Sequence, residues 1–286
     1  MMAASEASVL ADRAVLRLSG RDRTTFLQGL VTADILGLAA GASRWTALLT
    51  PQGKILFDFL VVEQGDDTLI DCARAQLEEL TKRLIFYKLR AQVSIEPVPG
   101  IAVAAMLPDT QIAVPSMLVF ADPRLSDMGS RALISDDHVS ALNRDASDYR
   151  ARRIALGIPD TVEDIGSGAL FPHEANLDQL GGVSFTKGCY VGQEVVSRME
   201  HRGTARSRIL PIAADRPLTK GSDITGRGRA LGQVLSSEGT RALALIRLDR
   251  LAEALGAGDP IIAEDAAVTA LQPAWARFKV PGAAAA

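Results

Sequence analysis

The residues best suited to chemistry lie between Gly181 and Gly203, in the stretch GGVSFTKGCYVGQEVVSRMEHRG. Lys187, Gly188 and Cys189 arrive together, followed at once by Tyr190, Gly192, Gln193 and Glu194. Val195, Val196 and Met199 fall at helical spacing, which puts the cysteine where a glycine-rich loop enters a helix. Free amide N–H groups at a helix N-terminus lower a thiol's pKa, and an adjacent ammonium does the same. A thiol in that setting can serve as a nucleophile, a metal or cluster contact, or a redox group. The same spacing also suits two glycines making a tight turn around a small, packed cysteine.

A length of 286 residues suffices for a large core and two or three domains. Apolar residues make up 48% and charged residues 23%, the balance of a folded globular chain and not of a disordered one. A net charge of −3 argues against general nucleic-acid binding. Two basic runs stand out: Arg144, Arg150, Arg152 and Arg153, then Arg198, His201, Arg202, Arg206 and Arg208. Such runs are solvated faces or, bracketing one motif, a means of neutralising an anionic ligand. The other cysteine, Cys72, sits in the alternating LIDCA and reads as core. Two distant cysteines make neither a disulfide framework nor a zinc site, and they suit a reducing compartment. The N-terminus lacks an apolar signal core and no run approaches ~18 apolar residues. The expectation is a cytoplasmic protein with no membrane segment and no metal site of its own.

The elements that must position the thiol follow from periodicity and turn signals. Strands are expected over Ala14–Leu18, Trp45–Leu49, Lys54–Glu63 and Thr68–Ala73, with a short helix over Arg23–Gln28. Leu77, Leu80, Leu84 and Ile85 mark an amphipathic helix from about Ala75 to Leu89. After a strand at Val93–Glu96, Pro97-Val98-Pro99-Gly100 signals a break between substructures. Ile101–Met106, Met117–Phe120 and Arg131–Ile134 follow as strands, and Ser147–Leu156 as a helix ended by Gly157. Strands and helices without a regular βαβ rhythm indicate an α+β body. Beyond Gly203, short strands over Arg208–Ile212, Leu231–Ser236, Ala242–Leu248 and Ala267–Leu271, punctuated by glycines, indicate a small all-β barrel. The Ala283–Ala286 tail is expected to be disordered. The domain reading is therefore a body over 1–203, with its break near 97–100, a barrel over 204–278, and a tail over 279–286.

The order of five segments resembles the folate-binding YgfZ family: Phe26–Ile35, Leu48–Val61, Arg152–Asp160, Phe171–Glu194 and Gly232–Asp249. The run Lys187-Gly188-Cys189-Tyr190-Val191-Gly192-Gln193-Glu194 matches the family's signature nearly letter for letter. That family assists maturation of iron–sulfur proteins and is related to the glycine cleavage system T protein, an aminomethyltransferase. The resemblance implies two intertwined α+β lobes plus a C-terminal β-barrel, three lobes around a central folate-sized hole. It implies bound tetrahydrofolate and a role in assembly or repair of [4Fe–4S] proteins, with iron–sulfur assembly factors and client enzymes as partners. Cys189 would be the reactive group or a contact to a transient shared cluster, with Lys187 holding it as thiolate and Gln193 and Glu194 ordering the loop.

Folate presents a pterin edge that a carboxylate accepts from, a benzoyl group that wants an aromatic wall, and an anionic tail. Asp58, alone in an apolar strand, falls where the aminomethyltransferases carry an acidic residue beside folate; an edge-strand surface position is the other reading. Glu174 in Pro172–Asn176 is a second carboxylate for the pocket, or a turn cap. Tyr149 and Arg153 share one helix face at i, i+4 spacing and match folate-contacting positions of the family, or else are packing and surface residues. Where some relatives have an aromatic residue before the first strand, this chain has Arg13. The aminomethyltransferases also carry a Gly-Tyr-Thr-Gly-Glu segment whose carboxylate grips the pterin. Here Asp122–Gly129 reads DPRLSDMG, without that glutamate. Those enzymes lack a Lys-Gly-Cys-Tyr run, so the thiol points to redox or cluster chemistry. A folate-dependent aminomethyl or one-carbon transferase is the alternative.

Overall fold

Apolar residues alternate along the first third of the chain, and in the computed structural model, which describes residues 5–143, 145–203 and 205–285, they pair as one sheet. In chain order the elements are β1 (Ser5–Leu10), β2 (Arg13–Ser19), α1 (Arg23–Gln28), β3 (Ser43–Leu49), β4 (Ile55–Gln64) and β5 (Asp67–Ala73). Then come α2 (Leu77–Lys88), β6 (Ser94–Pro97), β7 (Ile101–Met106), β8 (Leu118–Ala121), β9 (Ser130–Ser135), β10 (Leu142–Asn143) and α3 (Ser147–Ala155). The first sheet runs β3-β4-β5-β2-β6, the second β10-β1-β7-β9-β8. Because β1 leaves the N-terminus to pair between β10 and β7, the two α+β lobes are interleaved along the chain. No β1 was expected from the sequence: SEASVL has too few alternating positions to stand out.

Chain Met1–Tyr149 with Gly181–Gln193 forms one unit, and Arg150–Leu180 with Glu194–Ala286 the other. The first unit's main core sets Leu16, Leu18, Phe57 and Phe59 of the first sheet against Leu27 of α1 and Leu80 and Leu84 of α2. Ile85, expected on that apolar face, is exposed: the core stripe of α2 is carried by Leu80 and Leu84, with Leu77 and Tyr87 packed at its margins.

The two sheets of this unit are also tied by a buried ionic network. Arg13 donates from Nε to Asp71 Oδ1 (2.7 Å) and from Nη2 to the Asp71 carbonyl (2.7 Å). Arg131, on β9, donates to the other Asp71 oxygen. Arg124 donates from Nε (2.9 Å) and Nη2 (2.6 Å) to Asp122. Buried carboxylates survive only when paired in this way. Burial pushes the Asp71 carboxyl up, but Arg13 and Arg131 outweigh it and hold the group below its usual 3.8; Arg124 and Arg131 do the same for Asp122. The unfolded chain therefore takes up protons first. Stability from these pairs is expected to be fully present above about pH 4 and lost as pH falls further, a slope readable from urea midpoints against pH.

The second unit continues through α4 (Gln193–Arg202), β11 (Ser207–Ala214), β12 (Asp223–Gly226), β13 (Arg229–Glu238), β14 (Arg241–Arg247), α5 (Leu248–Gly256), β15 (Ile261–Ala263), β16 (Ala266–Gln272) and β17 (Ala284–Ala285). Strands run β11-β14-β13-β12-β15-β16, and β11 also pairs with β16, so six strands close into a barrel. Its interior is filled by residues such as Leu210, Ile212, Val234, Ala244 and Ile246. The tail departs from expectation: Ala284 and Ala285 pair with Leu271 and Gln272 as β17. Also unexpected is α5, whose Leu251 and Ala254 pack inward. Among the described residues no helix is long and apolar enough to cross a membrane.

Candidate functional site

The loop that carries Cys189 is fastened from both sides. At its entry, Thr32 Oγ1 donates to the Gly182 carbonyl (2.6 Å) and Ser184 N donates to the Thr32 carbonyl (2.9 Å). Lys187 then reaches the end of α1, where Nζ donates to the carbonyls of Gln28 (2.7 Å), Val31 (2.6 Å) and Ala33 (2.9 Å). An ammonium has three donors, and all three are used. Carbonyls at and just beyond a helix C-terminus lack intrahelical partners and favour a cation, so the match is electrostatic as well as geometric. The same ammonium lies 5.2 Å from the centroid of the Tyr190 ring. Burial pushes Lys187 down to about 8, with Asp34 opposing, and pushes the Tyr190 hydroxyl up to about 12.

On the exit side, Val191 packs against the first sheet's core. Gly192 follows with φ 81°; a Cβ there would sit 2.6 Å from the Thr50 carbonyl and 3.0 Å from Gly53 Cα. Only glycine allows that approach to the Thr50-Pro51-Gln52-Gly53 turn. Gln193 N closes the exit by donating to the Tyr190 carbonyl (3.3 Å), and Glu194 pairs with Arg198 one helical turn on (2.9 Å). Three segments far apart in sequence thus meet: 26–35, 48–54 and 181–193.

Between these anchors Gly188 and Cys189 are exposed. Cys189 stands, as expected, where the loop leads into a helix, four residues ahead of the start of α4 at Gln193 and so outside its first turn. Lys187, expected as the thiol's electrostatic partner, spends its three donors on backbone carbonyls and so fastens the loop that carries Cys189. The arrangement presents one thiol to solvent on a rigid mount, open to a partner's atoms. Cys72 is its opposite, buried on β5 with its thiol pushed up to about 12 by desolvation. Iodoacetamide is therefore expected to label the native protein at Cys189 alone, and both cysteines only after denaturation, as read by intact mass and peptide mapping.

Of the residues expected at folate, two fall in the first unit. Asp58 is buried on β4 and accepts from Trp45 Nε1 (2.9 Å). Tyr149 is buried, its hydroxyl accepting from Arg124 Nη2 and Arg131 Nη2, each at 2.9 Å. The other two fall in the second unit. Arg153 is buried and bonds to Asp164, to the Ile158 carbonyl (3.0 Å) and to Ser236 Oγ (3.3 Å). Glu174 Oε2 accepts from Phe171 N (3.0 Å), closing its own turn.

The basic runs do not form the anion site suggested for them at two of their members. Arg153 is neutralised by Asp164, and Arg208 by Asp178 through bonds of 2.6 and 3.0 Å. Arg144 and the Arg202 side chain lie outside the described residues. His173, Asp178 and Glu200 bring candidate ligand atoms within 4.8 Å of one another, but Asp178 is the carboxylate already held by Arg208. Sequence reasoning missed Thr32, Gly182 and the Arg13–Asp71–Arg131 network. The available signals were a lone Asp in the LIDCA strand and an arginine where relatives carry an aromatic residue.

Comparison with known proteins fits this geometry. Residues 206–278 match the CAF17 C-terminal beta-barrel domain model. The chain is 33% identical to the mouse (Mus musculus) iron–sulfur cluster assembly factor IBA57, mitochondrial, over 92% of this chain and 83% of that protein. It is 31% identical to the human (Homo sapiens) counterpart, over 84% and 76% respectively. The crystal structure of glycine cleavage system aminomethyltransferase T from Bartonella henselae aligns with a TM-score of 0.77, covering 96% of this chain and 88% of that one. At 12% identity that likeness is one of fold, and the fold is the T-protein type. The cytoplasmic expectation is overturned by the relatives' names, which are mitochondrial. Two unpaired cysteines set a redox condition, not an address.

Proposed function

This chain belongs to the IBA57 family of iron–sulfur cluster assembly factors, and from that membership we propose that it serves the maturation or repair of [4Fe–4S] proteins, with Cys189 as its reactive thiol and tetrahydrofolate as its ligand. The observation that carries the reading is the mount of Cys189: an exposed thiol on a loop whose lysine is spent entirely on holding the loop in place. A [4Fe–4S] cluster takes four thiolates, so one cysteine makes at most one contact to a cluster carried as cargo. The remaining ligands would come from an assembly factor or client enzyme.

The residues present suit the pterin end of tetrahydrofolate better than its tail. Asp58 offers a buried carboxylate in an apolar strand, the chemistry that a pterin amino edge requires. The ring of Tyr149 offers an aromatic wall. Arg153, whose guanidinium is taken up by Asp164, leaves the tail's carboxylates to other cations, and Glu174 keeps its own turn closed. When bound, the reduced folate would supply one-carbon or reducing chemistry, while this chain's residues orient the pterin. The transferase alternative gains little here. The two ionic residues that open the 122–129 stretch, Asp122 and Arg124, are bonded to each other rather than offered to a ligand.

The test is an anaerobic calorimetric titration of tetrahydrofolate into the wild type, Cys189→Ser and Asp58→Asn, with a melt of each. Wild type and Cys189→Ser are expected to bind alike, and Asp58→Asn to bind at least about tenfold more weakly. No binding to the folded wild type would remove folate from the proposal and leave the thiol.

A further inference from the structure

Helix α2 ends in a surface that the core does not use. Phe86 and Leu89 are 71% and 89% exposed, and Ile85 beside them 52%. Large apolar side chains grouped in the open, unlike ones scattered singly, mark an interaction site. Leu89 is held at φ 46° and ψ −109°, a backbone state that favours glycine, with its side chain pointed into solvent. Strain retained at an exposed residue is a pointer to function in its own right. The ground beneath is rigid: Asp22 Oδ2 accepts from Gln92 N (2.8 Å), and Gly20, at φ 105°, lies so close to Gln92 that a Cβ would meet its carbonyl at 2.3 Å. Beside the apolar group runs a shallow groove of about 810 Å³. Its charged lining residues are Arg21, Lys88 and Arg90; the Asp22 carboxylate that holds Gln92 lies 3.8 Å from Arg21 Nε and offsets one of these three charges, leaving the groove net basic.

We infer that the C-terminal end of α2 is a docking surface for an acidic protein partner, which receives Phe86 and Leu89 in an apolar hollow and sets carboxylates against Arg21, Lys88 and Arg90. Charge complementarity argues for that occupant. A chain of net charge −3 repels an acidic partner in general and attracts it at this basic end, which fixes the docking orientation. Two aspects disfavour a lipid surface. The opposite stripe of α2, Leu80 and Leu84, is committed to the core, so the helix cannot lie in a membrane plane. Its first turn also carries Glu78 and Glu79, which an extended anionic surface along the helix would meet and a partner seated only at its C-terminal end would not. The inference goes beyond the assembly reading and does not depend on it.

The experiment replaces Phe86 with the photo-crosslinking residue p-benzoylphenylalanine in the full chain in cells, with Val119, an exposed valine on β8, carrying the same residue as control. A crosslink is expected at 86 and not at 119, to another protein whose mapped contact has carboxylates around an apolar hollow. Its yield is expected to fall about tenfold in a Lys88→Glu/Arg90→Glu background. Lys88 is half-buried in the last turn of α2, where a cation is favoured, so the double variant is expected to melt up to roughly a few degrees lower. Arg21→Glu, at an exposed position, serves as a second charge variant expected to leave the melting temperature unchanged. No crosslink above the control overturns the inference, as does one indifferent to both charge variants. So does a crosslink to a second copy of this chain. Flotation of the wild type with mixed phosphatidylcholine–phosphatidylglycerol vesicles, lost on Phe86→Asp, would assign the surface to lipid instead.

Discussion

Substituting Lys187 by methionine is expected to lower the unfolding free energy by about 3 kcal/mol and to release the thiol loop from the end of α1. Hydrogen bonds from a charged donor contribute roughly 1.5–3 kcal/mol each, and Lys187 makes three, to Gln28, Val31 and Ala33. The full sum is not lost, since water can reach part of the site and methionine spares the cost of burying an ammonium, a cost visible in the lysine's lowered pKa. Amide hydrogen exchange should rise together over 28–33 and 182–190, because the two segments hold each other. Iodoacetamide should still label Cys189, whose exposure does not depend on the lysine. Iron–sulfur enzyme maturation should fall even so, for want of a fixed thiol. Unchanged exchange in both segments would show that Thr32 and Gly192 hold the loop without the lysine.

Much of this was legible in sequence because it is local. Alternation located β2 through β5 within a residue or two, and glycine and proline located the turns between them. The signature loop was legible because its chemistry-bearing residues are adjacent. What sequence hid is long-range. Nothing in Lys187 says that its ammonium reaches carbonyls 154 or more positions away. Periodicity likewise cannot tell which of two apolar neighbours, Leu84 or Ile85, faces the core when the stripe is narrow. Helix α5 is not legible in sequence because LDRLAEALG follows β14 with no glycine or proline between them to mark the change. Tyr149 and Arg153 were paired by helical spacing, yet one bonds to Arg124 and Arg131 and the other to Asp164. Buried ion partners, not spacing, decide where such side chains settle.

Replacing Cys189 by serine is expected to abolish function at almost no cost in stability. The change removes one exposed sulfur from a loop held by other residues, and substitutions of that kind usually stay within about 0.5 kcal/mol. Serine keeps the size and a hydroxyl but is a far weaker ligand for iron and a far weaker nucleophile than a thiolate. The direct measurement is the activity of a [4Fe–4S]-dependent enzyme in cells lacking this chain, supplied with either wild type or Cys189→Ser at matched levels and matched melting temperatures. The account predicts restored activity with wild type and background activity with Cys189→Ser. Full restoration by Cys189→Ser would contradict it, and would reduce the mounted loop to a structural element of the fold.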